Sequence, residues 1–206
     1  MDGAVASHKV QLEIPGLRIK KELTTDAKGY ASFEIKAKPI LWSTENPYLY
    51  QVSLSTDTDK VTDEIGFRTI ETKGRQILLN GNPVFLKGIS IHEEAPFRSG
   101  RICSEEEDLT LLNWAKELGC NYVRLAHYPH NEKMVRLAEK MGLMVWSEIP
   151  VYWTIQWENK DTYQNAHNQL MEMIERDQNR AAVIIWSIAN ETPHGEARDR
   201  FLSNLA

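Results

Sequence analysis

Apolar and polar side chains alternate in short runs through the first part of the chain. His8–Ile14 alternates, Tyr30–Lys36 repeats the pattern as Y-A-S-F-E-I-K, and Tyr48–Leu54 continues it as Y-L-Y-Q-V-S-L. Turn residues separate these runs: Pro15-Gly16, Asp26 with Gly29, and Asn46-Pro47. A period of two reads as half-buried strands, and several short strands at this spacing predict a β-sandwich of five or six strands. From Pro83 onward the rhythm changes. Val84–Ile91 reads as a first buried strand, and Ser104-Glu105-Glu106-Glu107 as a capping box opening a helix that runs through Leu118. A strand at Tyr122–Ala126, a helix at Asn131–Met141, a strand at Leu143–Trp146 leading to Glu148, a helix at Asp161–Asn179 and a strand at Val183–Ala189 follow. Continuous strand–helix alternation predicts a parallel sheet with helical crossovers, either barrel or open sheet. Asn80-Gly81-Asn82-Pro83 punctuates the passage between the two regimes, so domains are expected at 1–78 and 79–206.

Composition narrows the function without naming it. The 206 residues are 42% hydrophobic and 26% charged, with a formal net charge of −5, the range of ordinary globular domains. Charges of both signs are interspersed, with no basic stripe, so no nucleic-acid partner is expected. No apolar stretch reaches the roughly 18 residues of a membrane helix, so no membrane partner is expected. Cys103 and Cys120 read as free thiols flanking a helix, which leaves the compartment open. No Gly-x-Gly-x-x-Gly run opens a helix, which argues against a dinucleotide fold.

The candidate chemistry gathers at one end of the strands. His92-Glu93-Glu94 follows the first strand. The second carries Arg124 and ends in His127-Tyr128-Pro129-His130. Glu148-Ile149-Pro150 ends the third, with Tyr152 and Trp153 just beyond, and Asn190-Glu191 ends the fourth. Opposite ends offer plain turns such as Met141-Gly142. In barrels the active face lies at the C-terminal strand ends. Glu191, delivered by the apolar run Val183–Ala189, is the candidate general acid. Arg124 in an apolar strand requires a carboxylate partner. Glu94 reads as a solvated loop residue, whereas Glu93 stays among the substrate-binding candidates. His127 and His130 form an H-x-x-H pair, but Pro129 breaks helical geometry and no Cys or carboxylate sits at zinc spacing, so no metal and no other cofactor are expected. Tyr152, Trp153 and Trp157 suit either a core or a platform for sugar rings. Asn190-Glu191-Thr192 matches a glycosylation sequon, which a strand-end position facing a cleft makes a poor acceptor.

Together these residues carry a resemblance. From about Ala31 to Thr192 the chain resembles glycoside hydrolase family 2, the group of β-galactosidases, β-glucuronidases and β-mannosidases. The carriers are Leu41-Trp42-Ser43-Thr44-Glu45-Asn46-Pro47-Tyr48-Leu49-Tyr50, Gly66-Phe67-Arg68, and Asn80-Gly81 with Phe85-Leu86-Lys87-Gly88. Further on they are His92-Glu93, Arg124 with His127-Tyr128-Pro129, Glu148-Ile149-Pro150, and Trp186-Ser187 with Asn190-Glu191. The resemblance implies a β plus α/β chain: part of an immunoglobulin-like β-sandwich, then the first four β/α units of a (β/α)₈ TIM barrel. It implies a retaining exo-β-glycosidase acting on a β-galactoside or β-glucuronide. Glu191 would be the acid/base and Asn190 the contact to the sugar 2-hydroxyl. His92 and His127 would line the sugar subsite, and Arg124 would touch the nucleophile carboxylate. Tyr152 and Glu93 complete the candidate substrate contacts. The family's nucleophile is a glutamate on the seventh strand, so the chain is expected to be a fragment, inactive alone and prone to self-association through half-barrel edges. A carbohydrate- or protein-binding module without catalysis is the alternative.

Overall fold

The computed structural model describes residues 7–206, and the chain divides into two units. One takes the residues up to Trp42 together with Tyr48–Phe67; the other takes Ser43–Pro47 and Arg68–Ala206.

The first unit is antiparallel. Strands β1 (Lys9–Ile14), β2 (Ile19–Thr24), β3 (Tyr50–Ser55) and β4 (Lys60–Ile65) form one sheet in the order β2-β1-β3-β4. A 3₁₀ turn at Pro15–Leu17 joins the first two strands and ends with Arg18 in the left-handed region at φ 55°, which brings Ile14 opposite Ile19. Alternation then places Ile14, Ile19 and Tyr50 on one buried face, with Leu12, Val52, Phe33 and Phe67 packed against them. The opposite face carries cross-strand ion pairs, Lys9 with Glu22 at 2.7 Å and Lys20 with Glu13 at 2.5 Å. The strand expected over Tyr30–Lys36 does not form. The segment contributes Phe33 to the apolar cluster, yet Tyr30 and Ile35 are exposed and no strand among the described residues pairs with it. Alternation supplies two faces, but a strand also needs an edge to bond to.

The second unit opens with a three-stranded antiparallel sheet, β5 (Ile70–Lys73), β6 (Gln76–Leu79) and β7 (Asn82–Val84). Asn80 and Gly81, at φ 52° and 78°, make the two-residue turn between β6 and β7, as expected of Asn-Gly. Four parallel strands follow in the order β8-β9-β10-β11: β8 (Gly88–Ile91), β9 (Tyr122–Leu125), β10 (Met144–Glu148) and β11 (Val183–Ser187). Helices α1 (Glu105–Glu117), α2 (Glu132–Lys140) and α3 (Lys160–Asp177) make the crossovers, and α4 (Glu196–Leu205) follows β11. Each crossover helix begins at a capping side chain: Ser104 accepts from the Glu107 amide, Asn131 from that of Met134, and Asn159 from those of Asp161 and Thr162.

Two expectations change here. The strand expected over Val84–Ile91 is two strands in different sheets, because Val84 pairs antiparallel with Ile77 whereas Gly88 pairs in parallel with Tyr122. The Asn121 side chain fastens the crossing, accepting from the Lys87 amide at 2.8 Å and donating to the Phe85 carbonyl at 3.0 Å. Gly88 is required at the join, since a Cβ there would collide with the Tyr122 backbone. Beyond β11, where the hydrophobic pattern predicts no further element, the region around Glu196 is helix α4. Its Phe201 and Leu205, one turn apart, are buried against Ile149, Leu170 and Met173. Glu196 and Asp199 in its first turn suit the positive end of the helix dipole.

Candidate active site

Strands β9 and β10 bring a charged pair into the buried layer. Arg124 stands beside Trp146 in the parallel register, and Glu148 follows two residues later, wholly buried. The Arg124 guanidinium donates to both Glu148 oxygens, Nε to Oε2 at 3.0 Å and Nη2 to Oε1 at 2.9 Å. Trp146 Nε1 adds a bond to Oε2 at 2.9 Å, and His127 Nδ1 lies 2.9 Å from Oε1. The guanidinium also lies over the Trp146 ring, 4.9 Å from its centroid. A buried carboxylate is tolerable only with such complete partnering.

Arg124 reaches onward to the end of β11, where Nη2 donates to Asn190 Oδ1 at 2.7 Å. The backbone beyond β10 follows the same direction. The Asn190 amide donates to the Val151 carbonyl at 2.8 Å, and the Trp153 amide to the Asn190 carbonyl at 3.2 Å. These bonds extend the β10–β11 ladder past its strands and hold two residues with positive φ, Trp153 at 55° and Glu191 at 50°. Each left-handed non-glycine residue costs on the order of 1 kcal/mol, and such costs concentrate where a side chain must be aimed. Here Trp153 Nε1 donates to Glu191 Oε2 at 3.2 Å.

The result is a cavity of about 350 Å³ lined by His92, His127, Tyr128, Tyr152, Trp153, Asn190 and Glu191. The His92 and His127 rings meet edge to face at 5.3 Å, and Tyr152 and Trp153 meet likewise at 5.9 Å. The peptide between Ala126 and His127 is cis. Glu191 is the sole carboxylate lining this cavity among the described residues.

Of the candidates read from the sequence, His92, His127, Tyr152, Asn190 and Glu191 come together on one wall, and Arg124 stands behind it. Glu93 does not join them. Its buried carboxylate turns the other way, to Arg101 and to the backbone and side-chain amides of Asn131, which also reaches the buried Asp108 at 3.0 Å. Burial pushes the Asp108 carboxyl up. His130 also lies apart: it is buried, stacked on Tyr128, with Nε2 3.0 Å from the Ala126 carbonyl. Burial pushes its pKa down to about 4. Trp157 packs on Phe201, against the α3–α4 cluster. No group of three or more His, Cys, Asp or Glu among the described residues is placed to hold a metal ion.

Three contributors were given no role in the sequence reading: Glu148 and Tyr128, named there only among the strand-end residues, act as the hub and in the cavity wall, and Trp146 is the hub's indole donor. A signal for the first was available. Arg124 and Glu148 are lone charges in consecutive apolar strands, and parallel neighbours of that kind have each other as their nearest means of compensation.

Comparison with known proteins agrees with this architecture. Residues 70–204 match the model described as glycosyl hydrolases family 2, TIM barrel domain, and residues 4–68 match the model described as glycosyl hydrolases family 2. The chain is 35% identical over 178 residues to a β-glucuronidase of Streptococcus agalactiae, covering 76% of this chain and 29% of that protein. It is 32% identical to a β-galactosidase of Alteromonas mediterranea, covering 82% of this chain and 17% of the relative. Among solved structures, a Bifidobacterium dentium β-glucuronidase complexed with coumarin-3-O-glucuronide superposes with a TM-score of 0.86 at 26% identity, covering 97% of this chain and 34% of that one. A family 2 β-galacturonidase from Eisenbergiella tayi bound to galacturonate gives 0.81 at 28% identity, over 98% of this chain and 38% of the other. The chain thus spans under two-fifths of the length of each of these proteins. Two family models that between them take in both units, and relatives 32–35% identical over three-quarters or more of the chain, place the chain in glycosyl hydrolase family 2.

Proposed function

We propose that the chain is part of a retaining exo-β-glycosidase acting on terminal β-linked sugars, a β-galactoside or a β-glucuronide. Strands β8–β11 are read as the first four of a (β/α)₈ barrel within a domain at 79–206. The antiparallel sheet is read as part of an immunoglobulin-like domain at 1–78. The observation that carries the reading is the shared wall on which Glu191, Asn190, His127, His92 and Tyr152 meet at the C-terminal ends of parallel strands. The relatives' names, glucuronidase and galactosidase, support the two sugars equally.

On this reading Glu191 protonates the glycosidic oxygen as the bond breaks. Trp153 Nε1 occupies Oε2, so the transferable proton belongs on Oε1, and the indole N–H stabilises the carboxylate left behind. Asn190 bonds the 2-hydroxyl, a contact that strengthens as the ring approaches an oxocarbenium ion. Tyr152 and Trp153 offer apolar faces to the sugar. A retaining mechanism also needs a second carboxyl about 5–5.5 Å from the first. None lines this cavity among the described residues, and Glu148 is saturated by donors behind the wall. The chain by itself is therefore proposed to bind sugar without turning it over, which is also the ground for the binding-module alternative.

The test is hydrolysis of aryl β-galactoside, β-glucuronide, β-mannoside and β-glucoside by the chain, with Glu191→Gln as control. No turnover together with sugar binding is the expected result. Turnover lost in Glu191→Gln keeps the acid role and ends the claim of inactivity. Turnover that survives the substitution removes Glu191 from the mechanism.

A further inference from the structure

The donors around Glu148 do more than neutralise it. Arg124 Nη2 lies within bonding distance of Glu148 Oε1, Glu148 Oε2, His127 Nδ1 and Asn190 Oδ1, at 2.9, 2.8, 3.1 and 2.7 Å. It has only two protons to give. One goes to the carboxylate and one to Asn190, whose nearer atom must be oxygen because arginine cannot accept. No proton is left for His127. Its Nδ1 stands 2.9 Å from Glu148 Oε1, an oxygen that can only accept, so Nδ1 must be the donor. A neutral His127 then has a bare Nε2, and Asn190, its oxygen held by Arg124, has a free NH₂; both residues line the cavity.

We propose that Glu148 is a positioning residue that sets the hydrogen-bonding polarity of the cavity wall. It fixes His127 as the Nδ1–H tautomer, with Nε2 as an acceptor. Through Arg124 it locks the Asn190 amide with its NH₂ as a donor. A ligand must then present a hydroxyl that donates to His127 and an oxygen that accepts from Asn190. This last consequence rests on the β-glycoside reading; the tautomer does not.

The substitution Glu148→Gln makes a directional test. Trp146 Nε1 and Arg124 Nε both donate to the position of Oε2, so the glutamine carbonyl must take that place. Its NH₂ then faces His127 Nδ1, which has to become the acceptor. The experiment is a long-range proton–nitrogen correlation spectrum of the imidazoles in the ¹⁵N-labelled chain at about pH 8, above the ordinary histidine range. His127→Gln assigns the signal. The expected result is Nδ1–H in the wild type and Nε2–H in Glu148→Gln. Nε2–H in the wild type overturns the proposal without any variant, as does an unchanged tautomer in folded Glu148→Gln. Should that variant not fold, Trp146→Phe keeps the carboxylate and must keep Nδ1–H; a switch there would assign the tautomer to packing instead.

Binding separates this proposal from the reading beneath it. Methyl β-galactoside and β-glucuronide are titrated beside their 2-deoxy counterparts. The wild type is expected to prefer the 2-hydroxy sugars by about tenfold or more; Glu148→Gln, in which Arg124 still holds the Asn190 oxygen, is expected to keep that preference and to bind both sugars more weakly through the altered His127. Nδ1–H with no glycoside bound overturns the glycoside reading and supports the role of Glu148. Glycoside binding with Nε2–H does the reverse.

Discussion

Glu93 and Glu148 invite comparison. Both are buried carboxylates at the C-terminal ends of parallel strands, and each meets an arginine: Glu93 meets Arg101 and also Asn131, whereas Glu148 meets Arg124, which in turn bonds Asn190. Around Glu93 the carboxylate's partners stay outside the cavity: Asn131 caps α2 and bonds the buried Asp108, and neither it nor Arg101 lines the cavity wall. Around Glu148 the partners are amphibious. Arg124 and His127 touch the carboxylate with one part, and His127 and Asn190 line the cavity with another. A buried charge fastens structure when its donors end in the fold. It shapes recognition when they continue into a site.

The largest effect that would break this contrast is Arg124→Met. It leaves the fully buried Glu148 without its cation, and a loss of about 3–5 kcal/mol in urea unfolding is expected. A loss below about 1 kcal/mol would mean that Glu148 is not the charged hub described here. The next effect comes from acid. His130, next to Asn131, has a buried Nδ1 without a hydrogen-bond partner, so its protonated form is favoured in the unfolded chain. As pH falls from about 6.5 towards the folded value of about 4, the unfolded state takes up the proton first. Up to about 3 kcal/mol of stability is then lost across that window, with none of this loss above it. His130→Gln should flatten this part of the stability–pH curve. A smaller effect is expected from Asn131→Ala, which removes a helix cap and a partner of Glu93, at about 2 kcal/mol. Sugar binding at the cavity should be unchanged in that variant; a parallel loss of binding would merge the two networks. Least of all, Arg101→Met should cost about 1 kcal/mol or less, because its side chain is 68% exposed and Asn131 still bonds Glu93.

These variants also mark what the sequence could disclose. Periodicity located three of the four parallel strands and the three crossover helices, because each carries its own apolar repeat and each helix its own cap. The strand-end order by itself puts Glu191, Asn190, His127 and His92 on one face. Tyr30–Lys36 failed because alternation says nothing of whether a neighbouring edge is present. Val84–Ile91 failed because a run of apolar residues does not announce a change of sheet; the join is held by Asn121, more than thirty residues away. Helix α4 was hidden because no side chain caps it, Gly195 standing at that position. Glu93 and Glu148 look alike in one dimension. The direction each turns depends on Asn131 and Arg124, which only the folded chain brings near.

Arg68 has a consequence for how this unit comes together. Its guanidinium donates to the carbonyls of Ala181 at 3.1 Å and Val183 at 2.6 Å, spanning 113 and 115 residues of chain. The residue at which the chain re-enters the second unit is thereby tied to the start of that unit's last strand, and three β/α crossovers lie inside the tie. Loop-closure entropy makes so long a ring one of the last to shut during folding. Once shut, it acts as a clasp: the backbone amides of β11 should exchange with solvent together with those of β9 and β10, as one cooperative block rather than as a fraying margin.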